Sequence, residues 1–189
     1  MTPPQVGEPE GMITATDPHT DPHTVPPAPR WAVWAAHAAA LSTVPSGLWR
    51  IAMGFGLPVG YSEQVLRHTF RIPGVGSVAV IALSVVSEAL ALLTIGLVRP
   101  WGEVVPRWIP FIGGRRVRPL AAVVPAGLGA LALTVLWGDG LDWWSTEHHP
   151  AYEGVWLHII GVAYMPLVLW GPLLGAVTVS YYRRHRPRR

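Results

Sequence analysis

Four long apolar runs, separated by segments rich in proline, glycine and arginine, organise this chain. They lie at about residues 31–55, 75–98, 119–138 and 154–182. The first covers some 25 residues, roughly 37 Å at about 1.5 Å per residue, which is enough to cross a bilayer with tilt. Each of the others is continuous enough to read as a helix rather than a strand. The pattern predicts an all-α protein, a bundle of four transmembrane helices over residues 30–182. A proline-rich tail at 1–29 precedes it and a basic tail at 183–189 follows.

Interruptions in the runs predict where the helices bend. Pro45 and Gly47 break the first, and Pro45 leaves the Leu41 carbonyl without its helical donor; Ser42 and Thr43 are the nearest groups able to compensate. Pro166 and Pro172 predict a bend in the fourth. Small residues predict close helix contacts, because packing in lipid relies on backbone approach. Ala122, Ala126 and Ala130 form one stripe, and Gly171 and Gly175 form a shorter one through which a homodimer is conceivable.

Charge fixes the orientation. All fourteen basic side chains are arginine, and eleven lie before the first run, between the second and third, or after the fourth. Arg67 and Arg71 fall on the opposite side, and Arg50 lies within or at the edge of the first run. The positive-inside rule therefore places both termini in the cytoplasm of a multi-pass cell-membrane protein. Tryptophans follow the same boundaries. Trp31, Trp34, Trp101 and Trp108 cluster at the basic face, Trp49, Trp137, Trp143, Trp144 and Trp156 at the other, as interfacial belts do.

Composition narrows the function. Half the residues are apolar and 13% are charged, far from a soluble domain. The basic pI of about 9.8 is accounted for by topology, so no nucleic-acid partner is expected. The absence of cysteine excludes disulfides, thiolate ligands and cysteine nucleophiles. Arginine without lysine, with abundant Ala, Gly, Pro and Val, resembles the usage of a GC-rich bacterium. Residues 1–29 carry eight prolines and a repeated Thr-Asp-Pro-His, at 16–19 and 20–23, and are expected to be disordered. No basic n-region precedes the first run, so it is not read as a cleaved signal peptide.

Two groups of polar residues carry the candidate chemistry. Glu88 falls near the centre of the second run, where an ionisable side chain costs several kcal/mol unless neutralised, paired or wetted. By depth, Tyr164 and His37 lie within reach, and Ser84 is one turn away; together they form a candidate intramembrane cluster. Its functional version is a proton carrier or acid; its structural version holds helices together. Arg50, His158, Glu153 and Asp142 form a second group near the face opposite the arginines, either a charge pairing or a polar pocket for an anionic headgroup. Glu147, His148 and His149 are weak candidates for a metal, since adjacent histidines point apart and no helical ligand spacing is present. His37 and His158 lie too far apart in depth to share a haem iron, and no cofactor is expected.

The loop from Arg99 to Arg118 mixes arginines with Trp101, Trp108, Ile109, Phe111 and Ile112 and is expected to lie in the interface, against anionic lipid. Its Arg99-Pro100-Trp101-Gly102, Pro106-Arg107-Trp108, Pro110 and Gly114-Arg115, with Trp170-Gly171-Pro172 and the arginine-rich end of the fourth run, resemble a family of uncharacterised polytopic membrane proteins of actinobacteria. The resemblance spans about residues 31–186 and implies membrane location without a reaction. The leading expectation is a non-catalytic accessory that binds lipid, a membrane partner or a second copy. The alternatives are a small proton-coupled transporter using Glu88, and a membrane enzyme acting on a lipid or isoprenoid.

Overall fold

The structure, a computed structural model, describes residues 25–102, 114, 118–138 and 154–186. All regular secondary structure among them is helical: α1 (Arg30–Gly54), α2 (Glu63–His68), α3 (Val75–Gly96), α4 (Pro119–Gly138), α5 (Val155–Tyr164) and α6 (Leu167–His185), with a 3-10 turn at Pro100–Gly102. All four apolar runs are helical, and the fourth is divided at Met165–Pro166, where proline removes a backbone donor.

Helices α1 and α3 pack together, α6 lies against both α1 and α4, and α5 continues α6 along α1. Consecutive long helices run in opposite directions. Ala32 and Ala36 of α1 share a core cluster with Val98, just past the end of α3, and with Val177 of α6. Further along α1, Ala39 clusters with Ala91, Leu167 and Trp170. A third cluster, Met53, Leu66 and Ile72, lies where α2 and its flanking loops cover the far end of the bundle. The arginine-bearing ends of α1, α3 and α6 therefore meet at one end of the molecule. Arg184 joins them, donating to the Leu97 carbonyl at 2.7 Å and to the Pro26 carbonyl at 3.3 Å. Ala28 packs on the first core cluster, so the last residues of the proline-rich segment are seated on the bundle.

By length and composition, three helical segments are able to cross a membrane: Val75–Gly96, Pro119–Gly138 and Val155–His185, the last combining α5 and α6. The sequence reading expects four. The difference is α1, which has the length at 25 residues but lacks the apolarity. Its position explains its composition. Its buried residues include Ala32, Ala36, Ala39, Ser42, Thr43, Ser46, Gly47 and Arg50, whereas α4 buries only Ala130. A helix surrounded by neighbours needs small side chains and tolerates polar ones; a helix facing lipid needs apolar ones.

Local signals account for the remaining elements. Ser62 caps α2, its Oγ accepting from the Val65 N–H, and Arg67 pairs with Glu63 at 2.6 Å across one turn. Both partners are exposed, so the pair holds a helical turn and adds little stability. The hydroxyls expected to compensate Pro45 bond elsewhere. Ser42 donates to the Ala39 carbonyl and Thr43 to the Ala40 carbonyl, each three residues back, and neither serves Leu41.

The small-residue stripe of α6 is also occupied. A Cβ on Gly171 would meet the Thr134 nitrogen at 2.6 Å and the Ala130 carbonyl oxygen at 2.9 Å; at Gly175 it would meet the Ala130 Cβ at 3.7 Å. The face on which the sequence allows a homodimer is filled by α4 of the same chain.

Candidate functional site

Between the second and third core clusters, the α1–α3 contact changes from apolar to polar. On α1 the inward positions are Thr43, Ser46, Gly47 and Arg50; on α3 they are Ser84 and Glu88. These spacings of three and four residues put each set on one helix face. Two side chains in this layer are ionisable, and each is held differently.

Glu88 reaches α1 at its least bulky point. Thr43 Oγ1 lies 2.8 Å from Glu88 Oε2, while a Cβ on Gly47 would lie 2.6 Å from Glu88 Oε1. Glycine at 47 therefore leaves the volume that the carboxyl occupies. Oε1 is buried and has no hydrogen-bond partner. Thr43 Oγ1 also lies 2.9 Å from the Ala40 carbonyl oxygen. A hydroxyl has one proton to donate. That single proton has two acceptors within reach, the Ala40 carbonyl and Glu88 Oε2.

Arg50 is 8% exposed. Its Nε donates to Ser84 Oγ at 3.1 Å, Ser84 in turn donates to the Val80 carbonyl at 2.8 Å, and the guanidinium carbon lies 5.9 Å from the centre of the Tyr164 ring. Among the described residues no carboxylate lies within 4.0 Å of it, the one ion pair there being Arg67 with Glu63. A charged donor, a hydroxyl and an aromatic face thus share its stabilisation.

The candidate residues of the sequence reading separate accordingly. Ser84, expected to complete the hydrogen bonding of Glu88, accepts from Arg50 instead. Tyr164 lies beside Arg50 and 6.0 Å from the Trp137 ring. His37 bonds through Nδ1 to the Val33 carbonyl at 2.7 Å on its own helix, and no contact joins it to Glu88 among the described residues. Arg50 belongs with the intramembrane cluster, because its side chain turns inward onto α3. His158 is exposed on α5. Asp142 and Glu153, the weak metal candidates Glu147, His148 and His149, and most of the basic loop lie outside the described residues. Among those described, no group of three His, Cys, Asp or Glu comes together.

Thr43 and Gly47 are the members of the site that sequence reasoning did not attach to Glu88. The available signal was register: positions 43, 47 and 50 form one stripe, and a glycine beside a hydroxyl inside a span marks where a neighbouring side chain enters.

Tyr61, in the turn after α1, closes the layer at the far end. Its ring packs edge-on to Phe70 at 5.0 Å. Burial, with a smaller repulsion from Tyr164, pushes its hydroxyl up to about 12. Trp49 and Trp156 meet edge-on at 5.9 Å at the same end. A crevice of about 340 Å³ lies between α4 and α6, and neither Glu88 nor Arg50 lines it.

No family model, curated protein or solved structure matches this chain.

Proposed function

We propose that this is a four-span protein of a bacterial cell membrane, with α1 as the fourth span and both termini in the cytoplasm, and that it works as a non-catalytic, lipid- and partner-contacting component. The orientation follows from arginine placement, since the ends bearing Arg30, Arg99, Arg118 and Arg183 lie together and the positive-inside rule assigns that end to the cytoplasm. One observation carries the functional reading: both ionisable groups of the polar layer are engaged in helix packing. Glu88 fits the space left by Gly47, and Arg50 is fixed on Ser84 and over Tyr164. A catalytic or transport carboxyl needs access to a substrate, and the α4–α6 crevice among the described residues is lined by neither group.

A second reading, a proton-coupled transporter, is favoured by one specific observation. Glu88 keeps a buried oxygen without a partner beside a hydroxyl whose single proton has two acceptors. One pair of variants separates the readings. Under the packing role, Glu88→Gln retains the wild-type melting temperature in detergent and the wild-type phenotype of cells, while Glu88→Ala loses stability. Under the transport role, Glu88→Gln is folded but loses proton-driven flux in vesicles, and that result would replace the leading reading.

A further inference from the structure

Helices α4 and α6 do not stay in contact along their length. Where Gly171 meets Thr134 and Ala130 they are as close as backbones allow; one turn on, Gly175 and Ala130 are in ordinary contact at 3.7 Å. Another turn towards the arginine-bearing end, a Cβ on Gly127 would meet nothing within 4 Å. A crevice of about 340 Å³ lies between them here, walled by Val123, Gly127, Ala130, Thr178 and Tyr182. Of its two hydroxyl-bearing wall residues, Thr178 donates to the Leu174 carbonyl at 2.7 Å and so presents its methyl-bearing side without an open donor, and Tyr182 stands at the arginine-bearing end. The walls are apolar and suit hydrocarbon.

The mouth differs from the walls. Arg118 stands immediately before α4, and Arg183 follows Tyr182 one turn after Val179, both at the arginine-bearing end. Arg184 is engaged with Leu97 and Pro26. Arg118 and Arg183 are exposed and make no hydrogen bond or ion pair among the described residues. An apolar crevice with two uncommitted guanidinium groups at the same end of its helices matches one kind of molecule, with a hydrocarbon chain at one end and a negative charge at the other.

We propose that the α4–α6 crevice binds one anionic phospholipid, with an acyl chain between Gly127 and Gly175 and its phosphate-bearing headgroup held by Arg118 and Arg183. The proposal rests on the membrane-spanning reading and names the lipid class for it. Bidentate contacts from arginine suit phosphate oxygens, and juxtamembrane arginines favour anionic over zwitterionic headgroups.

The test uses full-length protein reconstituted into nanodiscs containing equal amounts of phosphatidylglycerol and phosphatidylcholine, released into the gas phase for native mass spectrometry. Wild type is expected to retain one phosphatidylglycerol per chain, in about thirtyfold preference over phosphatidylcholine, as two headgroup arginines at about 1 kcal/mol each would give. Gly127→Phe, whose ring enters open space and fills the crevice, loses the retained lipid. Val123→Trp, which fills it from the next turn, behaves alike. Arg118→Gln with Arg183→Gln keeps one lipid but loses the preference. Equal retention by wild type and both filled variants, or a wild type without preference, overturns the proposal. So does a dimer that Gly127→Phe dissociates, since the occupant is then a second copy. Release of wild-type protein from cell membranes by alkaline carbonate overturns the spanning reading instead, and is read before any lipid is added.

Discussion

Gly47 and Glu88 share one volume: the carboxyl oxygen of one lies 2.6 Å from where the other would carry a Cβ. Alanine at 47 therefore displaces the end of a flexible side chain and leaves the backbone in place. The displaced carboxyl also leaves Thr43. Gly47→Ala is expected to lower stability by about 1–3 kcal/mol, as overpacking does. Glu88→Ala in the same chain removes the clash, so the double variant should be more stable than the sum of the single changes predicts. Thermal unfolding of the four proteins in one detergent measures that coupling; strict additivity contradicts the shared volume.

Ser84 accepts from a buried charged donor, and its loss leaves Arg50 with only the Tyr164 ring. Ser84→Ala should cost about 1–3 kcal/mol, the range for stranding a buried donor. Tyr164→Leu should cost less than about 2 kcal/mol through the cation–ring contact. Arg50→Lys does not rescue either role, because an ammonium has no planar fork to lie over the ring while reaching Ser84. Unfolding temperatures that leave Ser84→Ala equal to wild type would show that Arg50 has another acceptor.

The α4–α6 contact is open to direct chemistry because the chain contains no cysteine. Ala130→Cys with Gly175→Cys places two Cβ atoms about 3.7 Å apart, within the roughly 3.5–4.5 Å that a disulfide spans. Mild oxidation should give an intramolecular crosslink that leaves the protein a monomer on a denaturing gel. Gly171→Ala pushes a methyl group into the Thr134 and Ala130 backbone and should suppress that crosslink. A disulfide-linked dimer from the unmodified Gly171 background would mean that α6 meets a second copy.

Tyr61 gives a pH dependence outside the spans. Its hydroxyl is raised from the usual 10.0 to about 12 in the folded protein. The unfolded state therefore ionises first. The associated stability is fully present below pH 10, declines as pH rises from 10 towards 12, and is absent beyond. Tyr61→Phe should flatten that decline, and ultraviolet difference titration should lose its latest-ionising tyrosine. An unchanged titration curve would assign the shift to another ring.

Hydrophobic pattern made the helical class and the apolar runs legible, because a span in lipid must be long, continuous and internally hydrogen-bonded. The break at Pro166 was legible for the same reason. Three things were not. α2 is six residues held by a Ser62 cap and a Glu63–Arg67 turn, too short for any periodic signal. The direction of Arg50 depends on the α1–α3 register, which places Ser84 beside it. Depth counting put Glu88, His37 and Tyr164 at similar levels, but depth says nothing about azimuth; His37 turns onto Val33 and Tyr164 onto Trp137.

The interior position of α1 bears on how the protein is made. A segment whose inward face carries alanines, hydroxyls, a glycine and an arginine has little affinity for hydrocarbon when it emerges alone. On the proposed four-span reading, its residence in the bilayer would depend on helices synthesised after it: α3 supplies the partners of Thr43 and Arg50, and α6 covers its alanines. Biogenesis of this chain is then an assembly problem more than a series of independent insertions, with the earliest helix committed last. Truncation after α1 leaves a segment that a translocon has weak reason to release sideways, and extension through α3 gives it a reason to stay.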